Sequence, residues 1–129
     1  MRLTKAQKAE FEQYLSGIAH KHWTKFKILY PELQHFEMPQ IVLNNRLSAT
    51  AGLSYQKSNR VELCTKFFFH SDAYTTIMIH EIIPHELAHQ IDYNLFGECK
   101  EKGGHGKNWS AIMQRFGLAP KRYHRMERV

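Results

Sequence analysis

His85-Glu86-Leu87-Ala88-His89 brings two imidazoles and a carboxylate together in one short stretch. On an α-helix, residues four apart are turned by roughly 40° and separated by about 6 Å along the axis. The rings of His85 and His89 can therefore converge on one ion from a single helical face. Glu86 is rotated by about 100° from His85, so it flanks that ion, where it can hold a water and take its proton. Zinc is the metal this pattern suits, because it lowers the pKa of a water from nearly 16 to about 7 and so makes a nucleophile available at neutral pH. A chance HExxH on an exposed helix would leave both histidines solvated. Here Leu87, Ala88 and Ile91 place the motif on an apolar helix, where unligated histidines and a glutamate would be costly.

A catalytic zinc site needs a third protein ligand and one open position. The downstream candidates are Asp92, Glu98, Glu101, His105 and His124. Asp92, three residues beyond His89, suits an acceptor for an imidazole N–H better than a ligand. Glu98 and Glu101 lie in a charged loop. His105 is favoured: Gly103, Gly104 and Gly106 around it let the backbone approach a metal closely, and a helix follows it directly. His20 and His22 read as surface or packing residues beside Trp23. His80 is about 140° around the helix from His85 and should not reach the same ion.

The elements that must position these groups are legible in outline. Thr4 and Gln7 form a capping box ahead of a first helix, with Phe11, Leu15, Ile18, His22 and Phe26 at helical spacing. Tyr30-Pro31 sets its latest end. Ile41–Leu43, Thr50–Tyr55 and Arg60–Thr65 read as three strands of a small antiparallel sheet, with Gln56-Lys57-Ser58-Asn59 as a turn between the last two. Phe67-Phe68-Phe69 reads as core, not as a base-stacking platform. A second helix from near Ser71 or Asp72 carries the motif, is buried on several sides and stops at Gly97. Pro84 lies inside it and lacks the donor owed to the carbonyl of His80, so the helix must kink or restart there. A third helix spans about Asn108–Phe116, with Trp109, Ile112, Met113 and Phe116 on one face.

With 129 residues, 43% hydrophobic and 12% aromatic, the chain suits one folded α+β domain over 1–129. No apolar run reaches bilayer length, and the charged Met1–Glu10 has no secretory h-region. Cys64 and Cys99, in no CxxC pair, are poor material for a disulfide framework and fit a cytoplasmic setting. Eighteen basic against 12 acidic residues give a net charge of +6, which favours polyanions, including nucleic acid.

Pro84-His85-Glu86-Leu87-Ala88-His89-Gln90, then Leu95-Phe96-Gly97, then His105-Gly106-Lys107-Asn108-Trp109 together resemble the SprT-like metalloproteases, most closely their bacterial branch. Arg46, Ala51-Gly52, Val61-Glu62-Leu63 and Lys121-Arg122-Tyr123-His124 add to the likeness, which covers about two-thirds of the chain, from near Asn44 to Glu127. HExxH alone is shared by many zincins; HExxH followed by FG and HGxxW is far more specific. The resemblance implies a zincin-like domain with His85, His89 and His105 as ligands to Zn2+ and Glu86 as general base. It also implies substrates that are proteins bound or crosslinked to DNA, with DNA stimulating cleavage. The sequence departs from the bacterial branch in having no cysteine beyond Cys99, hence no cysteine-rich zinc ribbon before Val129, and in a longer Glu98–Gly104 loop.

The expected activity is thus metal-assisted peptide hydrolysis, an extended substrate pairing with a sheet edge. Two other readings are a DNA-binding zinc scaffold without protease activity and a general cytoplasmic peptidase unrelated to DNA. The intact Glu86 argues against the first, since a structural site has no need of a base.

Overall fold

In the computed structural model, which describes residues 2–121, the first helix begins as its capping box requires. The Thr4 hydroxyl accepts from the Gln7 amide at 3.1 Å while the Gln7 side chain accepts from the Thr4 amide at 2.9 Å. This helix, α1 (Lys5–Leu29), ends where Tyr30-Pro31 forbids continuation, and a 3-10 turn (Pro31–His35) follows. Its buried stripe is Leu15, Ala19, Trp23 and Phe26.

Three short strands follow: β1 (Gln40–Asn44), β2 (Gly52–Tyr55) and β3 (Arg60–Cys64). The antiparallel expectation holds for β2 and β3, joined by the Gln56–Asn59 turn, and fails for β1. The sheet order is β1-β3-β2, with β1 parallel to β3 (Ile41 opposite Val61, Leu43 opposite Leu63). Asn59 supplies the reason. Held at φ 52°, a left-handed conformation that asparagine tolerates, it donates through its side chain to the Glu37 carbonyl at 3.1 Å and accepts the Gln40 amide at 2.9 Å. That ties the start of β1 to the start of β3, so the two strands must run the same way, and the sheet is mixed. On the outer side of β1 the Glu12 carboxylate, from α1, accepts the Leu43 amide at 2.7 Å.

Arg60–Thr65 does not continue as a strand through Thr65, because the chain turns into α2 (Thr65–His70) and then α3 (Asp72–Ile77), the latter capped by the Ser71 hydroxyl. Phe67 and Phe68 are buried, as a core reading requires, whereas Phe69 is half exposed. The motif helix resolves the Pro84 problem in an unexpected way. Met78–Ile82 forms a π-helical turn, in which the Ile83 amide reaches back five residues to the Met78 carbonyl. The wider turn relieves the contact a proline ring would make in an α-helix. Pro84 then sits in the first turn of α4 (Ile83–Phe96), where its fixed φ suits the start of a helix. Gly97, at φ 82°, ends this helix as expected.

Every residue of α4 from Ile83 to Asp92 is buried. The helix packs against β2 and β3 and shares one core with Val61 and Leu63, which α1 and α5 (Lys107–Phe116) complete. α5 buries Trp109, Ile112, Met113 and Phe116 and closes at Gly117 in the left-handed region, φ 104°. Among the described residues no helix is long and apolar enough to cross a membrane.

Leu63 is fully buried in β3, the central strand, opposite Leu43 of β1 and Gly52 of β2. Leu63→Ala is expected to cost about 2–5 kcal/mol, seen in urea unfolding as a lower midpoint with an unchanged slope.

Candidate metal centre

His85 and His89 arise one turn apart on α4, and His105 reaches them from the loop that precedes α5. Their Nε2 atoms converge: His105 lies 3.2 Å from His85 and 3.2 Å from His89. Metal–nitrogen bonds of about 2.0–2.1 Å in tetrahedral geometry separate two nitrogens by roughly 3.3–3.4 Å. The three side chains are therefore positioned to hold a metal ion with little movement. They are also the one group of metal-competent side chains among the described residues. Asp92, Glu98 and Glu101 do not join it, and His124 lies outside the described residues. Asp92 is buried on α4, and none of the described hydrogen bonds joins it to an imidazole. His80, within the π turn, and His20, on α1, stand apart from the three as the sequence implied.

Burial sets the protonation of His89 and Glu86. His89 is pushed down to about 3, first by burial and then by the neighbouring His105, which keeps its imidazole neutral as a ligand must be. The backbone of Gly104 hydrogen-bonds the same ring and fixes its orientation. Its φ of 86° favours glycine at that position, and Gly104 packs against the His89 ring.

Glu86 is 6% exposed, with an Oε2 atom 3.9 Å from His85 Nε2. Burial alone pushes its carboxyl up to about 8; a divalent cation at the histidines would pull it back down. Gly52, the first residue of β2, makes room for it. A Cβ there would stand 3.0 Å from Glu86 Cγ and 3.1 Å from Oε2.

Two further residues support the cluster in roles that the sequence did not show. Trp109, 1% exposed, stacks on His89 (centroids 5.2 Å, 16° between planes). It also meets His85 and His105 edge-on at 4.9 and 4.7 Å. Its Nε1 donates to the His85 carbonyl at 3.4 Å. The tryptophan of HGxxW is thus the floor of all three imidazoles, beyond the core-face residue its helical spacing suggested. Gln56, read only as a turn residue, donates to the His89 carbonyl at 3.0 Å and accepts from Gln90 at its own carbonyl. These bonds fasten the β2–β3 turn to the motif helix.

The unscreened side of the cluster opens into a cleft of about 550 Å³, bordered by β2 through Gly52, Leu53 and Ser54 and by Phe67, Glu98 and Cys99. Three converging imidazoles, one of them held neutral by burial, a buried carboxyl beside them and an open cleft on one side can together hold a metal ion and admit a ligand to it.

Comparison with known proteins agrees with this arrangement. The chain is similar to the protein SprT of Pasteurella multocida, 34% identical over 93 residues that cover 71% of this chain and 52% of the relative. The SprT protein of Vibrio parahaemolyticus matches to the same extent, 34% over 93 residues, 71% and 52%. That of Vibrio atlanticus is 30% identical over 112 residues, 86% of this chain and 58% of the relative. The chain spans about half the length of the curated relatives it matches. No solved structure matches it. The SprT-like family matches residues 12–127, a span that includes the three converging histidines, Glu86 and Trp109, and the chain belongs to that family.

Proposed function

We propose that this chain is a zinc-dependent endopeptidase, with His85, His89 and His105 as the zinc ligands and Glu86 as the catalytic base. The observation that carries the reading is His105 Nε2 lying 3.2 Å from the Nε2 of both His85 and His89 beside a buried carboxylate, all facing one cleft. An all-imidazole donor set suits zinc among the available divalent metals. When bound, zinc supplies a Lewis acid for the scissile carbonyl and a water acidified to a pKa of about 7.

The chain's own residues do the rest. Glu86 orients the attacking water, takes its proton and returns it to the leaving amine. The Gly104 backbone, bonded to the His89 ring, and Trp109, packed against all three rings, would hold the imidazoles in place around the ion. β2 is an edge strand that lines the cleft. An extended substrate adding to its free side would bring a backbone carbonyl over the histidines.

The substrates we infer are proteins bound or crosslinked to DNA, in a cytoplasmic setting. Family membership and the +6 charge support this, since a basic surface draws a nucleic-acid-bound substrate toward the cleft.

Three outcomes are expected. His105→Ala should leave the chain folded but without stoichiometric zinc at neutral pH, read by metal analysis after dialysis. Glu86→Gln should retain zinc and lose cleavage of a DNA-binding protein, assayed beside the wild type with and without single-stranded DNA. Wild-type cleavage that DNA does not accelerate would instead indicate a general peptidase; a zinc-loaded wild type that cuts nothing would indicate a binding scaffold. Gly52→Val should displace the Glu86 carboxylate by about 1 Å and slow hydrolysis by about 10²-fold, while zinc content stays at the wild-type level.

A further inference from the structure

The π turn that accommodates Pro84 leaves a debt at one backbone group. In that turn each amide reaches back five residues, as Ile83 does to Met78. The next bond in the series would run to the Ile79 carbonyl from residue 84, and Pro84 has no N–H to give. A carbonyl left so inside a protein costs free energy until it finds a donor. The donor comes from 57 residues away: His22 Nε2, on α1, lies 2.9 Å from the Ile79 oxygen.

His22 is held for this task. Its ring is half-buried and meets Phe116 of α5 in an edge contact with centroids 5.5 Å apart. It therefore bonds the π turn from α1 while packing on α5, the helix that also carries Trp109. Downstream of the turn, His85 follows Pro84 directly and Glu86 packs against Gly52 with no spare room. Any relaxation of the turn would be transmitted to His85 and Glu86 through a continuous, buried helix. π turns recur at functional sites for this reason: they set the phase of the residues that follow.

We propose that His22 is a positioning residue of the metal centre, its Nε2–H replacing the donor that Pro84 lacks and thereby fixing the register of the HExxH helix. His22 touches neither the metal ligands nor the cleft and acts through the π turn. The inference rests on the zinc-peptidase reading only for its kinetic consequence.

The test has one arm on the wild type and others on variants. Nitrogen-15 NMR of the wild-type zinc-loaded protein should find His22 protonated at Nε2 with Nδ1 bare; the opposite tautomer would overturn the proposal without any mutation. His22→Leu removes the donor, and His22→Gln restores an amide N–H at nearly the same reach. Thr4→Ala weakens α1 at its cap, far from the turn. In His22→Leu the Ile82 and Ile83 amides should exchange about tenfold faster and zinc should bind about tenfold more weakly in chelator competition. With substrate, kcat should fall while KM holds. His22→Gln should recover most of each loss, and Thr4→Ala should lower Tm without moving zinc affinity or those two amides. Wild-type exchange and zinc affinity in His22→Leu would refute the role, as would the same losses in Thr4→Ala. If the wild type cleaves no protein, the peptidase reading fails while the tautomer, exchange and zinc measurements still decide this one.

Discussion

Two buried imidazoles, a third half-buried against them and a buried carboxyl are the constraint around which the rest of this fold is arranged. Each is a group that an apolar interior penalises unless it is partnered or neutral. The protein keeps His89 neutral by burial and gives the three ring nitrogens one common focus. Everything packed against them either excludes water or aims them. Trp109 does the first and the Gly104 backbone the second, while Gly52 supplies the space in which Glu86 can sit beside His85. The helix that carries the motif is buried on every side from Ile83 to Asp92. That is unusual for a segment with two histidines and two acids, and it is intelligible once a cation is expected among them.

Local chemistry made much of this visible in the sequence. The capping box at Thr4, the end of α1 before Pro31, the glycines closing α4 and α5 and the apolar face of α5 each depend on residues within a turn or two. They appear where their neighbours dictate. The convergence of His105 with the HExxH pair was also legible, since a glycine-flanked histidine just before a helix has few other uses. What escaped is what long-range contacts decide. Nothing within β1 distinguishes a parallel from an antiparallel partner; the direction is imposed by Asn59, 15 residues beyond the strand's end at Asn44. Aromatic residues at 67–69 fit a strand or a helix equally well, and the burial of Phe67 and Phe68 selects the helix.

Pro84 shows the difference most clearly. Its conflict with an α-helix was plain from sequence, and so was the need for a kink or restart. The solution uses a π turn and a histidine on another helix, and no local pattern announces such a pairing. His22 lies on the stripe of α1 that faces the core, where a packing role is the economical reading. Its bond to Ile79 emerges only when α1 and the π turn are seen side by side. Gln56 and Trp109 are similar cases: a turn residue and a core residue by their spacing, yet both fastened to backbone carbonyls of the motif helix.

The two edges of the sheet are treated differently. The outer side of β1 lies against α1, whose Glu12 already occupies the Leu43 donor, whereas β2 ends the sheet at the rim of the cleft. An unpaired strand edge is ordinarily a hazard, because any extended chain can add to it, a second copy of the same protein included. In this fold the hazard is confined to the rim above the histidines. Self-association by strand addition and access to the metal centre therefore compete for the same ridge, so a copy that aggregates through β2 would also be a copy that is shut.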